Sequence, residues 1–184
     1  TGMEFAAGIP GSVGGALVMN AGAYGSEIKN ILKSARVMTN EGEVLELSVD
    51  ELELGYRTSC IPHRGYTVLE ASFQLEPGDQ EAIEARMKEL AARRREKQPL
   101  EYPSAGSTFK RPQGYFAGKL IEDAGLRGYV MGGARVSEKH CGFVINGGNA
   151  TASDVMALCG HIRKTVMEQS GVELEMEVKR WGEF

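Results

Sequence analysis

The sequence lacks the features of several large classes of protein. Its three cysteines, Cys60, Cys141 and Cys159, are odd in number and widely spaced, which argues against a disulfide framework and against a zinc site. The three histidines are not spaced as metal ligands either, so we predict no bound metal. The 21 lysines and arginines are outnumbered by 25 acidic residues, and a formal net charge of −4 offers no field for non-specific nucleic-acid binding. No apolar run approaches the length of a membrane span, and we expect a soluble cytoplasmic protein.

The chain also lacks internal repeats and the regular strand–helix alternation of a doubly wound sheet. Residues 34–39 and 43–48 flank Asn40-Glu41-Gly42 and predict a β-hairpin. Residues 66–75 have the period of a half-buried strand, with one face formed by Leu69, Ala71, Phe73 and Leu75. Hairpins that stand apart from helices predict the α+β fold class.

Two of the predicted helices lie in the second half of the chain, and a third precedes them. Residues 80–97 have helical spacing, and the prolines that follow suggest a domain boundary within 97–106. Residues 115–124 predict a short helix with Phe116, Leu120 and Ile121 inward, which ends at Gly125. Residues 152–169 predict a longer helix, capped by Thr151 or Ser153. After it, residues 173–181 alternate like a strand.

The most informative segment is Gly8–Gly25, GIPGSVGGALVMNAGAYG, in which six of eighteen residues are glycine. Glycine lets the backbone approach a flat ligand or a phosphate closely. Such a cluster costs conformational entropy on folding, so we expect a close approach that requires it. The alternative is a tight loop packed against a sheet, and the segment is not the dinucleotide-binding fingerprint.

Four segments carry a family resemblance. They are GIPGSVGGALVMNAGAYG at 8–25, GYRTS at 55–59, YPSAGSTFKRP at 102–112 and LEMEV at 174–178. In residue type, order and spacing the chain resembles the UDP-N-acetylenolpyruvoylglucosamine reductase (MurB) family over essentially its whole length. The family reduces UDP-N-acetylglucosamine enolpyruvate to UDP-N-acetylmuramate with FAD and NADPH, in peptidoglycan precursor synthesis. No long tyrosine-bearing insertion lies between Arg57 and Lys97, and in this respect the chain resembles the shorter of the family's two types.

The resemblance implies three regions. Residues 1–97 resemble the C-terminal half of a MurB/VAO-type FAD-binding domain, 98–172 a MurB C-terminal substrate-binding domain, and 173–184 a strand that returns toward the FAD lobe. The first lobe of the family, with its glycine-rich loop for the FAD pyrophosphate, is absent from the sequence. We therefore expect the chain alone to bind FAD weakly or not at all and to be inactive.

The resemblance also implies three catalytic residues. Ser107 matches the family's proton donor, Glu177 its companion acid, and Arg57 the group that orients and polarises the substrate carboxylate. The residues alone allow plainer roles. Ser107 fits an ordinary turn serine. Glu177 shares its strand face with Glu173 and Glu175, which alone suggests a solvated charge stripe. Arg57 suits a surface ion pair, although its planar fork favours bidentate carboxylate binding.

Further positions match ligand contacts in the family. The residues matched to FAD contacts are Ile9, Pro10, Gly15, Val18, Gly22, Tyr24 and Lys179. Those matched to substrate contacts are Lys97, Arg111, Tyr115, Lys139 and His140. Lys97 is equally explained as a helix-terminal lysine, and Arg111 stands where other members have asparagine.

Two other functions stay open on the sequence. A non-catalytic UDP-sugar-binding module is one alternative, but it has no need of Arg57, Ser107 and Glu177 together. Another FAD oxidoreductase with a different substrate is the second, and the segments AGSTFKRP and LEMEV argue against it.

Overall fold

The structure, a computed structural model, describes residues 1–182. It divides into two compact units, Thr1–Arg93 and the residues from Arg94 onward. The functional boundary between 97 and 98 stays a prediction. The predicted return strand 173–184 includes residues 183 and 184, which lie outside the described part.

The first unit holds one helix–sheet core. Its elements are α1 (Val13–Val18), β1 (Gly22–Ala23), β2 (Ser26–Glu27), β3 (Leu32–Met38), β4 (Val44–Ser48), β5 (Thr67–Phe73) and α2 (Gln80–Lys97), the last of which continues into the second unit. Strands β4, β3 and β5 form an antiparallel sheet in that order. Its inner face buries Ala35, Val37 and Leu47 against Leu17 of α1 and against Leu52 and Ile61. The segment around α1 therefore packs on this sheet.

The predicted hairpin is confirmed. β3 and β4 pair antiparallel from Ser34 opposite Ser48 to Met38 opposite Val44. The Thr39 N–H donates to the carbonyl of Glu43 and closes the turn. β3 starts two residues earlier than predicted, at Leu32, because Leu32 pairs with Phe73 of β5.

The strand predicted over 66–75 is β5, but its apolar face was wrong in two places. Leu75 lies beyond the end of the strand and is exposed, and Leu69 lies on the other face. Arg36 pairs with Glu70 and Val37 with Val68, so Leu69 is an extra residue that β3 does not match. Such a bulge reverses the alternation beyond it. Val68 therefore packs on the core, and Leu69 is 49% exposed.

The second unit is built around a separate core. Its elements are β6 (Ser104–Ser107), α3 (Ala117–Asp123), β7 (Val130–Met131), β8 (Ala134–Val136), β9 (Phe143–Asn146) and α4 (Ala152–Ser170). The strands form one sheet in the order β6-β9-β8-β7, antiparallel throughout. α4 packs on this sheet through Leu158, Ile162 and Val166. These two antiparallel sheets, a two-stranded pairing of β1 with β2 and the separate helices confirm the α+β class.

The two helices predicted in this unit differ in accuracy. α4 begins after Thr151, which forms a capping box with Asp154, and Gly171 follows its last residue. The choice between Thr151 and Ser153 is therefore decided for Thr151. α3 is shorter than predicted, and the inward position of Phe116 was wrong. Phe116 precedes the helix with extended backbone and is 61% exposed, because the first turn of α3 buries Ala117 instead.

Candidate functional site

The glycine-rich segment is not a continuous loop, since it contains helix α1. Ser12 caps the helix, and its Oγ accepts a hydrogen bond from the Gly15 N–H at 3.1 Å. Before the cap, Ile9 is half-buried and Pro10 is exposed. Gly11 has φ +131°, and a Cβ at this position would meet no atom within 4 Å. The backbone at Gly11 therefore borders open space.

Beyond α1 the segment is tightly packed. A Cβ on Gly22 would lie 2.9 Å from the carbonyl oxygen of Ser26, so no larger residue fits there without movement. Tyr24 has φ +53°, and its hydroxyl donates to the carbonyl of Leu90 at 3.2 Å. Val18, the last residue of α1, accepts a hydrogen bond from the Ser59 hydroxyl at 2.9 Å. Three of the predicted cofactor residues therefore also hold the segment in place.

The GYRTS segment forms a tight turn against the glycine-rich segment. Gly55 and Thr58 pair across it and leave Arg57 near the tip, with φ +55°. The Arg57 guanidinium donates to the carbonyl of Gly22 at 3.0 Å and lies 5.2 Å from the Tyr56 ring. The structure therefore brings together two segments that are separated by about thirty residues in the sequence.

Sequence reasoning missed a buried residue at this junction. Asn20 is 0% exposed and has φ +40°. Its Nδ2 donates to the carbonyl of Gly55 at 3.0 Å, and its Oδ1 accepts from the Lys29 N–H at 2.9 Å. The signal available in the sequence was a single amide side chain inside a largely apolar and glycine-rich segment.

Ser107 lies at a β-bulge. Ser104 pairs with Ile145 and Ser107 with Phe143, so three steps along β6 match two along β9. Gly106 takes up the extra residue with φ +82°, a conformation that side chains disfavour. Ser107 is exposed beyond the bulge, and the following Thr108 is buried. The bulge therefore determines the direction of the predicted proton donor.

The tail lies beside this strand. Phe109 and Met176 face each other, the Lys110 N–H donates to the carbonyl of Glu175 at 2.8 Å, and the Glu177 N–H donates to the carbonyl of Thr108 at 2.9 Å. The predicted strand is thus limited to one bridge with flanking hydrogen bonds. It places Glu177 alongside the strand that carries Ser107.

The three glutamates of the tail differ in their surroundings. The carboxylate of Glu175 pairs with Lys110 at 2.5 Å, and that of Glu173 pairs with Arg163 at 3.2 Å. Both side chains are at least 70% exposed, whereas Glu177 is half-buried. Glu177 is therefore the member of the stripe that is most withdrawn from solvent.

His140 and Lys139 follow β8 and are held by the second unit itself. His140 Nδ1 accepts from the Gly142 N–H at 3.0 Å, and burial lowers the pKa of His140 below its usual value. The Lys139 ammonium donates to the carbonyl of Arg95 at 2.7 Å and lies 3.6 Å from the carboxylate of Glu101. Lys139 therefore connects the loop after β8 to the end of α2.

The remaining predicted ligand residues are spread over the surface. Arg111 Nε donates to the carbonyl of Tyr115 at 3.3 Å, and its guanidinium lies 4.0 Å from the ring of the exposed Phe116. Tyr115 itself is 49% exposed. Lys97 is the exposed last residue of α2, and Lys179 lines an open groove with Arg163 and Arg180.

Comparison with known proteins identifies the two regions. Residues 98–181 match the family model described as UDP-N-acetylenolpyruvoylglucosamine reductase, C-terminal domain, and residues 1–48 match that of an FAD binding domain. The whole chain is 64% identical to the UDP-N-acetylenolpyruvoylglucosamine reductase of Lachnoclostridium phytofermentans and 62% identical to that of Agathobacter rectalis. The chain belongs to the UDP-N-acetylenolpyruvoylglucosamine reductase family. It spans about 59% of the length of each of these two relatives.

A solved structure of the family agrees with the fold. The crystal structure of UDP-N-acetylenolpyruvylglucosamine reductase (MurB) from Thermus caldophilus matches 99% of this chain and 65% of its own, with 36% identity and a TM-score of 0.86. Ser107 and Glu177 lie in the range that matches the C-terminal domain model, and the glycine-rich segment lies in the range that matches the FAD-binding domain model. Arg57 lies between the two matched ranges.

Two features are absent from the described residues. No helix among residues 1–182 is both long and apolar enough to cross a membrane. The same residues contain no group of three or more His, Cys, Asp or Glu side chains placed to hold a metal ion.

Proposed function

We propose that this chain supplies the substrate domain and part of the FAD site of an enzyme that reduces UDP-N-acetylglucosamine enolpyruvate to UDP-N-acetylmuramate. NADPH is the reductant, the enzyme works in the cytoplasm, and its product serves peptidoglycan precursor synthesis. The observation that carries the proposal is the pairing of Glu177 with Thr108, which puts the predicted companion acid beside the strand of the predicted donor, Ser107. The identity of 64% across the whole chain supports it.

The glycine-rich segment fits an isoalloxazine or diphosphate group. Its backbone is open at Gly11 and Gly15, where a Cβ would meet little or nothing. The half-buried Ile9 and the exposed Val13 add apolar surface beside that backbone. FAD, when bound there, supplies the hydride for the enolpyruvyl double bond. Ile9, Pro10, Gly15, Val18, Gly22 and Tyr24, with Lys179, are the residues we assign to it.

Arg57 and Ser107 carry the polar part of the chemistry. Hydride addition to one alkene carbon leaves negative charge on the neighbouring carbon and its carboxylate, so the site needs a counter-charge and a proton. The planar fork of Arg57 binds the carboxylate in a fixed orientation. The Ser107 hydroxyl gives its proton to the charged carbon, and Glu177 acts beside it as the companion acid. A serine hydroxyl is a weak acid, so this transfer depends on its position.

The sugar nucleotide needs further contacts. We assign them to Lys97, Arg111, Tyr115, Lys139 and His140. The diphosphate suits the lysines and arginine, and the exposed Tyr115 offers a flat apolar face with a hydroxyl. Since Lys139 already holds the carbonyl of Arg95, its role in this assignment includes shaping the loop.

Stopped-flow absorbance of the flavin tests the function in the protein at the full length of its relatives. We expect Ser107→Ala to allow flavin reduction by NADPH and to block reoxidation by the enolpyruvyl substrate. Ser104→Ala, on the same strand before the bulge, is the matched control and keeps both half-reactions. Normal reoxidation in Ser107→Ala rejects the donor role. A parent protein that binds the sugar nucleotide without oxidising NADPH supports the non-catalytic module instead.

A further inference from the structure

The junction between the glycine-rich segment and the Arg57 turn is braced by three side chains, two of which the proposed chemistry does not use. Three hydrogen bonds cross it, each to a main-chain carbonyl. Asn20 Nδ2 donates to Gly55, Arg57 to Gly22, and the Ser59 hydroxyl to Val18, at 3.0, 3.0 and 2.9 Å. One of the three donors is the predicted catalytic arginine, and the other two hold the turn at Gly55, before Arg57, and at Ser59, after it.

Asn20 is the most buried member of this brace. Its side chain is fully enclosed, and its carboxamide is used at both ends, with Nδ2 on the Gly55 carbonyl and Oδ1 on the Lys29 N–H. A buried polar group of this kind is costly unless each end is satisfied. The site therefore requires an amide, because it needs a donor and an acceptor on one short side chain.

Two residues of the junction have unfavourable backbone conformations. Asn20 and Arg57 have φ +40° and +55°, in the left-handed region that costs free energy for residues other than glycine. Asparagine enters this region more easily than most residues. A left-handed residue persists only where its surroundings hold it, and for Arg57 those surroundings include the Gly55 carbonyl that Asn20 fixes.

We propose that Asn20 is a positioning residue for Arg57. It fixes the start of the turn at Gly55, so that the guanidinium reaches the Gly22 carbonyl and meets the substrate carboxylate in one orientation. This inference rests on the proposed function of Arg57. Ser59 supports the same turn from its other end, through Val18.

The experiment uses Asn20→Asp in the protein at the full length of its relatives. At neutral pH the carboxylate keeps the acceptor for the Lys29 N–H but has no proton for the Gly55 carbonyl. We expect flavin reduction by NADPH to be unchanged and reoxidation by the enolpyruvyl substrate to slow about tenfold, the size expected when the half-buried Gly55 carbonyl keeps only its weaker bond from the Thr58 N–H. Asn30→Ala, which removes an exposed amide in the same region, is the control and keeps the parental rates.

A double-substitution cycle separates positioning from general damage. If Asn20 acts through Arg57, the slowing caused by Asn20→Asp largely disappears in an Arg57→Lys background. If Asn20→Asp slows reoxidation by the same factor in the parent and in the Arg57→Lys background, the inference is wrong. If Asn20→Asp does not fold, Ser59→Ala is used in the same cycle, with the same two outcomes.

Failure of the inference is distinguishable from failure of the function. A parent enzyme that turns over, combined with independent effects, rejects only the positioning role. If the parent does not reduce the substrate, the proposed function fails, and amide hydrogen exchange at Tyr56 and Arg57 still tests the brace. Faster exchange in Asn20→Asp than in Asn30→Ala supports it, and equal exchange rejects it.

Discussion

The guanidinium of Arg57 donates a hydrogen bond to the carbonyl oxygen of Gly22, 35 residues earlier in the chain, at 3.0 Å. No Cβ fits at Gly22, so the backbone there is close to its neighbours and defined in position. An arginine held by such a carbonyl has fewer orientations left to lose when it binds a carboxylate. Lower ordering cost is a general route to tighter and more specific binding.

Arg57→Lys is expected to impair the substrate half-reaction. Lysine keeps the charge but replaces the planar fork with a point charge on a flexible stem. We expect kcat/KM for the enolpyruvyl substrate to fall about tenfold to a hundredfold, the range for lost hydrogen bonds to a charged group. Steady-state kinetics measure it, and Arg64→Lys, in an exposed ion pair with Glu53, is the control. A parental kcat/KM in Arg57→Lys contradicts carboxylate binding by this residue.

Gly15→Ala separates cofactor binding from folding. An added Cβ would meet only the Ser12 Oγ, at 3.4 Å, so the helix accepts it. Replacing a helical glycine with alanine raises the free energy of unfolding by about 0.5–1 kcal/mol. If FAD lies against Gly15, its dissociation constant rises in Gly15→Ala, as measured by flavin fluorescence titration. Gly160→Ala is the control, because Gly160 lies in α4 and an added Cβ there would meet no atom within 4 Å. We expect it to raise stability without a loss of FAD affinity. Equal FAD affinity in both variants removes Gly15 from the cofactor site.

The capping box of α4 makes a pH-dependent contribution to stability. Hydrogen bonds from Thr151 and from the Gly133 N–H lower the pKa of Asp154 below its ordinary 3.8. A depressed carboxyl pKa stabilises the fold above the unfolded-state pKa, and this stabilisation is lost as the pH falls through the folded-state pKa. We therefore expect Asp154→Ala to lower the melting temperature at pH 7, and the difference from the parent to shrink below about pH 4. A pH-independent difference contradicts the argument.

Thr151→Ala removes the other half of the box and is expected to cost about 1 kcal/mol of unfolding free energy at pH 7. Ser153→Ala is the matched control, since Ser153 lies in the same turn without the cap. Thermal denaturation followed by circular dichroism compares the two. Equal melting temperatures in both variants reject Thr151 as the cap.

The cysteines are expected to be unreactive in the folded chain. Cys159 is 1% exposed, and burial raises its pKa to about 11, so the thiolate that reacts is scarce at pH 8. Burial also raises the pKa of Cys60 and of Cys141. We expect slow reaction with a thiol reagent until denaturant exposes the thiols. A fast native reaction that is lost in Cys159→Ser contradicts this.

Local signals predicted the fold well where neighbouring residues decide the structure. The hairpin around Asn40–Gly42 and helix α2 follow from turn chemistry and helical spacing. Leu69 and Phe116 were placed on the wrong face, because a bulge and a helix start depend on pairing and packing partners elsewhere in the chain. Helix α1 was missed because two glycines weaken a helical pattern that its cap and the sheet beneath it stabilise.

The sequence predicts a chemistry for the candidate site, which stays a prediction, but it does not predict the residues that support that site. Arg57, Ser107 and Glu177 came from motif resemblance, which gives residue types and order. Neither the bulge at Gly106 nor the enclosed amide of Asn20 has a signature in one sequence, since both depend on which strand or carbonyl lies opposite. Such supporting residues are found only once the tertiary contacts are known.

The ion pair between Lys110 and Glu175 joins residues 65 positions apart, next to the pairing that places Glu177. Closing so long a loop has an entropic cost that local turns and helices do not carry. We therefore expect the tail to dock late in folding, after the sheet and α4 have formed. A substitution in this pairing should then mainly accelerate unfolding and leave the folding rate almost unchanged. We therefore expect Glu177, the predicted companion acid, to join its strand as one of the last contacts of the second unit.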